Sequence, residues 1–149
     1  PHVVSDSHLK EILDKVKRPC IRYTEATEEN VTQADCLIID CYGLLSSIYR
    51  YGEISYIGGG FGVGIHNVLE AAVYGIPVIF GPKYQKFQEA IQLLEAKGAF
   101  SVKDYEELKT LLDRMLTDEV FLRESGMNAS NYVTGNAGAT DKIMSMINF

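Results

Sequence analysis

The chain lacks an apolar run long enough to cross a bilayer, and neither a membrane span nor a signal peptide is expected. It also lacks an excess of positive charge. Its 14 Lys+Arg against 20 Asp+Glu give a formal net charge of −6, which argues against a nucleic-acid backbone or an anionic lipid surface as the main partner. A small phosphorylated ligand stays open, because it needs only a local group of donors. Cysteine is scarce: Cys20, Cys36 and Cys41 are odd in number and lie in or beside expected strands. They read as reduced core thiols of a cytosolic protein. No second Cys/His pair accompanies Cys36 and Cys41, so no metal site is expected. Internal repeats, low-complexity tracts and linkers are absent, and one domain over residues 1–149 is expected. That length supports a core without disulfides. The first residues are Pro1-His2-Val3-Val4 rather than methionine, and the expectation is a piece of a longer protein. No Ser/His/Asp triad, Cys/His pair or paired carboxylates stand out. Catalytic residues are therefore not expected in this stretch, and transfer chemistry would need a base supplied elsewhere.

What the chain does have is glycine concentrated in one place. Residues 58–64 carry five glycines, Gly58, Gly59, Gly60, Gly62 and Gly64, after an apolar strand and before an expected helix. Bare backbone at such a junction lets peptide N–H groups meet an anionic ligand. The loop fits G-x-G-x-x-G in no register, and no Gly-Lys-Ser/Thr follows it, which disfavours a dinucleotide enzyme and a P-loop NTPase. Around it, strands and helices alternate. Strands are expected at 20–23, 36–40, 54–57, 77–80 and 99–102. Helices are expected from Ser5 to Pro19 and at 44–51, 65–74, 84–97, 105–116, 118–133 and 138–148, with an Asp104/Glu107 capping box. The 36–40 run reads as a strand covered on both faces. Tyr105, Leu108, Leu111, Leu112, Met115 and Leu116 give one apolar helix face. The pattern predicts an α/β fold, a Rossmann-like open parallel sheet with helices on both faces. Ligands of such sheets bind at the carboxyl ends of the strands, so residues 40–43, 58–70 and 81–86 are expected to converge on one crevice.

Two readings stay open for each candidate. The glycines serve either a ligand or close strand–helix packing. His66, Asn67 and Glu70 would share a helix face near its N-terminus. There a carboxylate suits a ribose diol and Asn67 offers both donor and acceptor; alternatively these residues cap the helix, with His66 packed. Tyr42 either covers a base at the Asp40-Cys41-Tyr42-Gly43 turn or belongs to an ordinary strand-to-helix turn. Lys83 and Lys86 are placed to meet a phosphate or carboxylate, or stand as solvated lysines.

Taken together, Asp40-Cys41-Tyr42-Gly43-Leu44-Leu45, Gly58-Gly59-Gly60, Ile65-His66-Asn67-Val68-Leu69-Glu70-Ala71-Ala72, Gly75-Ile76-Pro77-Val78-Ile79-Phe80-Gly81-Pro82 and Phe87 resemble the C-terminal half of bacterial 3-deoxy-D-manno-octulosonic acid (Kdo) transferases. The likeness covers nearly the whole chain. It implies the C-terminal domain of a GT-B glycosyltransferase that binds the donor CMP-Kdo. Transfer would be inverting, with no metal or cofactor. The acceptor, a lipid A precursor, and the catalytic carboxylate would belong to an N-terminal domain absent from this chain. So would contact with the cytoplasmic face of the inner membrane, leaving this fragment soluble. By matching position the resemblance gives donor contacts to Tyr42, Gly43, Gly58, Gly59, Gly60, Asn67 and Glu70, with Glu70 on the ribose. His2 falls where the family places a polar inter-domain segment near the nucleotide. Two departures are visible. Tyr42-Gly43-Leu44 replaces a Met-Gly-Glu, and Phe61-Gly62-Val63-Gly64-Ile65 replaces a Ser-Leu-containing run with Gly-Gly before the histidine. The other readings are a GT-B enzyme using a UDP-sugar, against which the His-Asn-x-Leu-Glu run argues, and a non-catalytic α/β module binding a nucleotide or a protein.

Overall fold

The computed structural model describes residues 5–147. They belong to two compact units, the first ending at Ser47 and the second beginning at Ile48. Each has its own parallel sheet.

In the first unit, the Ser5 hydroxyl accepts the amide of His8 at 3.3 Å and starts helix α1 (Asp6–Lys15), which buries Leu9. The helix stops at Lys15 with Val16 already extended, short of the expected end at Pro19. Strand β1 (Cys20–Arg22) pairs in parallel with β2 (Cys36–Ile38), Cys20 opposite Cys36 and Arg22 opposite Ile38. Between them lies α2 (Glu28–Val31), opened by a reciprocal box in which Thr27 accepts the Asn30 amide and Asn30 accepts that of Thr27. Two expectations are corrected here. The 36–40 segment is not covered on both faces, for Leu37 is 41% exposed while Ile38 is buried. Side chains alternate across a strand, and only the Ile38 side is filled. The three cysteines are half-buried and free rather than core thiols.

Helix α3 (Leu45–Ile48) lies mostly in the first unit, and a 3-10 turn at Tyr49–Tyr51 opens the second, where one continuous helix over 44–51 was expected. Strands β3 (Ser55–Ile57), β4 (Val78–Phe80) and β5 (Ala99–Ser101) form a parallel sheet in that order, with β4 central. The period of two in β4 decides the layering. Val78 and Phe80 face one cluster, with Ile57, Ala71, Ala72, Ala90, Leu93, Ala99 and Ala129. Ile79 faces the other, with Val102 and Met115, against which Leu108, Leu111 and Leu112 pack. All three β4 residues are fully buried, as expected of a central parallel strand. The helices supplying these residues are α4 (Leu69–Ala72), α5 (Gln88–Glu95), α6 (Tyr105–Thr117) and α7 (Glu119–Gly135). Helices therefore cover both faces of this sheet, and the Rossmann-like α/β reading holds.

Details differ from expectation. Tyr105 and Leu116 are each 70% exposed and leave the apolar face of α6 to Leu108, Leu111, Leu112 and Met115. Asp104 does accept the Glu107 amide at 2.9 Å, but Glu107 reaches back to the amide of Lys103, not Asp104. α5 begins only at Gln88, since Phe87 closes a turn onto the Tyr84 carbonyl. α8 (Ala139–Met146) follows.

Candidate functional site

The glycine loop leaves β3 and folds on itself before α4. Gly62 donates to the Gly59 carbonyl at 2.8 Å and His66 to the Gly58 carbonyl at 3.1 Å, so residues 64–66 run back across the loop's first residues. Gly59 has φ +104, and a Cβ there would lie 2.2 Å from the Gly64 carbonyl oxygen. No side chain fits that position. A Cβ on Gly60 would lie 2.6 Å from the Cα of Gly81, and Lys83 donates its amide to the Gly60 carbonyl at 2.9 Å. Two of the three expected strand ends, 58–70 and 81–86, are thus joined backbone to backbone. Residues 40–43 belong to the first unit.

This geometry corrects the reading of His66, Asn67 and Glu70 as one helix face. The expected helix over 65–74 contracts to Leu69–Ala72, and His66 and Asn67 precede it. Asn67 is a hinge of hydrogen bonds: its Oδ1 accepts the Leu69 amide at 3.0 Å and its Nδ2 donates to Glu70 Oε1 at 3.0 Å. An Asn side chain bonded two residues on stands in for a helical turn and opens the helix. The capping reading is met in part, since Asn67 bonds the first turn of α4 while His66 is exposed rather than packed. Asn67 caps α4, and in doing so it orients the Glu70 carboxylate. Glu70 is half-buried while His66 and Asn67 are exposed. The charge of Glu70 reaches Tyr49, whose phenol is pushed above its ordinary pKa first by burial and then by that carboxylate.

The glycines meet their packing reading. Gly59 and Gly60 are required by close backbone approach, and Gly64 by Phe87, whose ring would stand 2.8 Å from a Cβ. Yet among the described residues the amides of Gly59, Gly60, Phe61, Val63 and Gly64 have no acceptor. Gly58 is exposed and uncrowded. Lys83 contributes its backbone to the loop, while its side chain is exposed. His2 lies outside the described residues.

In the first unit, Tyr42 is 75% exposed and Gly43 has φ +87 with open space around it. The turn that carries them is anchored by Asp40, whose side chain is fully buried. Its Oδ2 accepts from the Thr24 hydroxyl at 2.6 Å and Arg22 Nε at 2.7 Å, and its Oδ1 from the Thr24 amide at 3.0 Å. The Thr24 hydroxyl, then its amide and Arg22, outweigh burial and hold the Asp40 pKa down to about 2. Asp40 is thus an ion locked into the fold, which its place in a strand-end turn did not reveal.

A groove of about 660 Å³ between α5, β5 and α6 is lined by Leu94, Lys97, Phe100, Leu111 and Arg114 among others, and contains none of the expected site residues. Among the described residues, no cluster of three or more His, Cys, Asp or Glu is gathered to hold a metal ion, and no helix is long and apolar enough to cross a membrane.

No family model matches the chain. Individual relatives do. It is 40% identical over 87 residues to the 3-deoxy-D-manno-octulosonic acid transferase of Aquifex aeolicus, covering 57% of this chain and 25% of that protein. It is 30% identical over 144 residues to the enzyme of that name from Rickettsia felis, covering 93% of this chain and 31% of that protein. With the enzyme of that name from Chlamydia muridarum it shares 33% identity over 94 residues, 62% of this chain and 22% of the relative. In fold it is similar to the crystal structure of the C-terminal CMP-Kdo binding domain of WaaA from Acinetobacter baumannii, with a TM-score of 0.74 and 18% identity over 85% of this chain and 67% of that one. The chain thus spans a third or less of the length of the curated relatives it matches. In sequence the chain is similar, over 93% of its own length, to a bacterial 3-deoxy-D-manno-octulosonic acid transferase.

Proposed function

We propose that this chain is the donor-binding part of a glycosyltransferase that moves Kdo from CMP-Kdo to a lipid A precursor, and that alone it binds the donor without transferring it. The observation that carries the reading is the pairing, within 12 residues of sequence (59–70), of unpartnered backbone amides with a carboxylate held in place. The amides receive the phosphate. Glu70 has one oxygen occupied by Asn67, and its other oxygen accepts from the ribose. Tyr42 and Gly43 keep the donor contact that the family resemblance gives them. The names of the sequence relatives and the donor named for the structural neighbour support the choice of CMP-Kdo. In this reading the transfer is inverting and uses no metal or cofactor. The acceptor site, the catalytic base and attachment to the cytoplasmic face of the inner membrane belong to the N-terminal part of the full-length enzyme.

Calorimetry of the chain with CMP, UDP and GDP tests the reading. Binding should be weak and should favour CMP. Tighter binding of UDP or GDP would move the chain to another GT-B enzyme, and binding of none of them would leave a non-catalytic module.

A further inference from the structure

The glycine loop carries two side chains of its own, and both are apolar and exposed. Phe61 is 51% exposed and Val63 fully so. Phe61 sits at the corner of the turn closed by Gly62 on Gly59. One edge of its ring is seated on the bare backbone of Gly81, where a Cβ would come within 2.9 Å of both Cδ2 and Cε2. The ring rests against that backbone while about half of it faces solvent. A loop serving only to turn the chain would carry polar residues at such points.

We infer that Phe61 is a specificity-determining residue whose open face packs against the C–H face of the sugar being transferred. This rests on the donor reading above. A nucleotide sugar is connected in the order base, ribose, phosphate, sugar. With the ribose on Glu70 and the phosphate on the unpartnered amides between Gly59 and Gly64, the group on the far side of the phosphate meets what flanks those amides. That is an aromatic ring resting on a glycine, with an open face that matches an apolar ring face. Val63 borders the same position.

The test is calorimetry with CMP and with freshly prepared CMP-Kdo on the unsubstituted chain and on Phe61→Ala, Phe61→Leu and Phe61→Tyr. Loss of the ring should weaken CMP-Kdo by about fivefold or more and leave CMP within about twofold, with Phe61→Tyr close to the unsubstituted chain. Phe61→Leu still fills the space against Gly81 and decides the question if Phe61→Ala does not fold. Equal losses for both ligands, or no loss for CMP-Kdo, would overturn the role of Phe61 while leaving the donor reading intact. Failure of the unsubstituted chain to bind CMP would overturn the donor reading, and this inference with it.

Discussion

Two carboxylates, Asp40 and Glu70, differ in what the fold leaves of them. Asp40 has both oxygens bonded to Thr24 and Arg22 and no exposed side-chain surface. Its folded pKa of about 2 lies below the ordinary 3.8. A depressed carboxylate stabilises the fold fully above its unfolded value, and that stabilisation is lost as pH falls through the folded one. Urea unfolding of the chain and of Asp40→Asn should therefore differ by a constant amount near neutrality, with the gap closing between about pH 4 and pH 2. A gap independent of pH would mean that Asp40 is not an ion in the folded state. Glu70 has one oxygen on Asn67 and belongs to the ligand in our reading. Glu70→Ala should lower CMP affinity at least tenfold, through one charged hydrogen-bond pair of roughly 1.5–3 kcal/mol, with little change in thermal midpoint. Asn67→Ala should differ in kind. It removes the bond to the Leu69 amide as well, so it should cost roughly 1 kcal/mol of stability in addition to affinity.

The loop between β3 and α4 shows which features of an element are written locally and which are not. Ile65, Val68, Leu69 and Ala72 recur at helical spacing, so residues 65–74 read as a helix. Ile65 and Val68 are indeed buried, yet they precede the helix, in a segment drawn back across Gly58 and Gly59. Period alone cannot separate the two, because the backbone contact that decides between them comes from residues distant in the turn. The glycine cluster was legible as a place where backbone comes close. Its partner at Gly60 was not, since Gly81 is 21 positions away and at the end of another strand. Where the pattern was long or strongly apolar, as in β4, α6 and α7, sequence and structure agree to within a residue or two. Where elements shrink to three or four residues, as at α3 and α4, tertiary contacts set their ends. Gly60→Ala tests the apposition of the two loops. The methyl group would meet backbone, which cannot swing aside as a side chain can, so the variant should lose about 1–3 kcal/mol in chemical denaturation. Unchanged stability would show that the loops are not in contact.

At the scale of the whole chain, the question is which parts a nucleotide engages. A ligand that binds only the folded state adds RT ln(1 + [L]/Kd) to its stability, about 2.7 kcal/mol at a hundredfold excess over Kd. CMP should therefore raise the unfolding midpoint, and UDP at the same concentration should raise it less. Where that stabilisation falls is more telling than its size. The second unit contains the bare amides and Glu70, and the first contains Tyr42 and Gly43. Amide exchange followed with and without saturating CMP should slow at residues 59–70, where unpartnered N–H groups acquire an acceptor. It should also slow at residues 41–43, because the donor reading assigns Tyr42 and Gly43 to the same ligand. Slowing at the glycine loop alone would remove those two residues from the site and leave Glu70 with the amides as the whole of it. Slowing at neither would leave the loop's bare backbone a matter of packing, the other use of glycine that its sequence allowed.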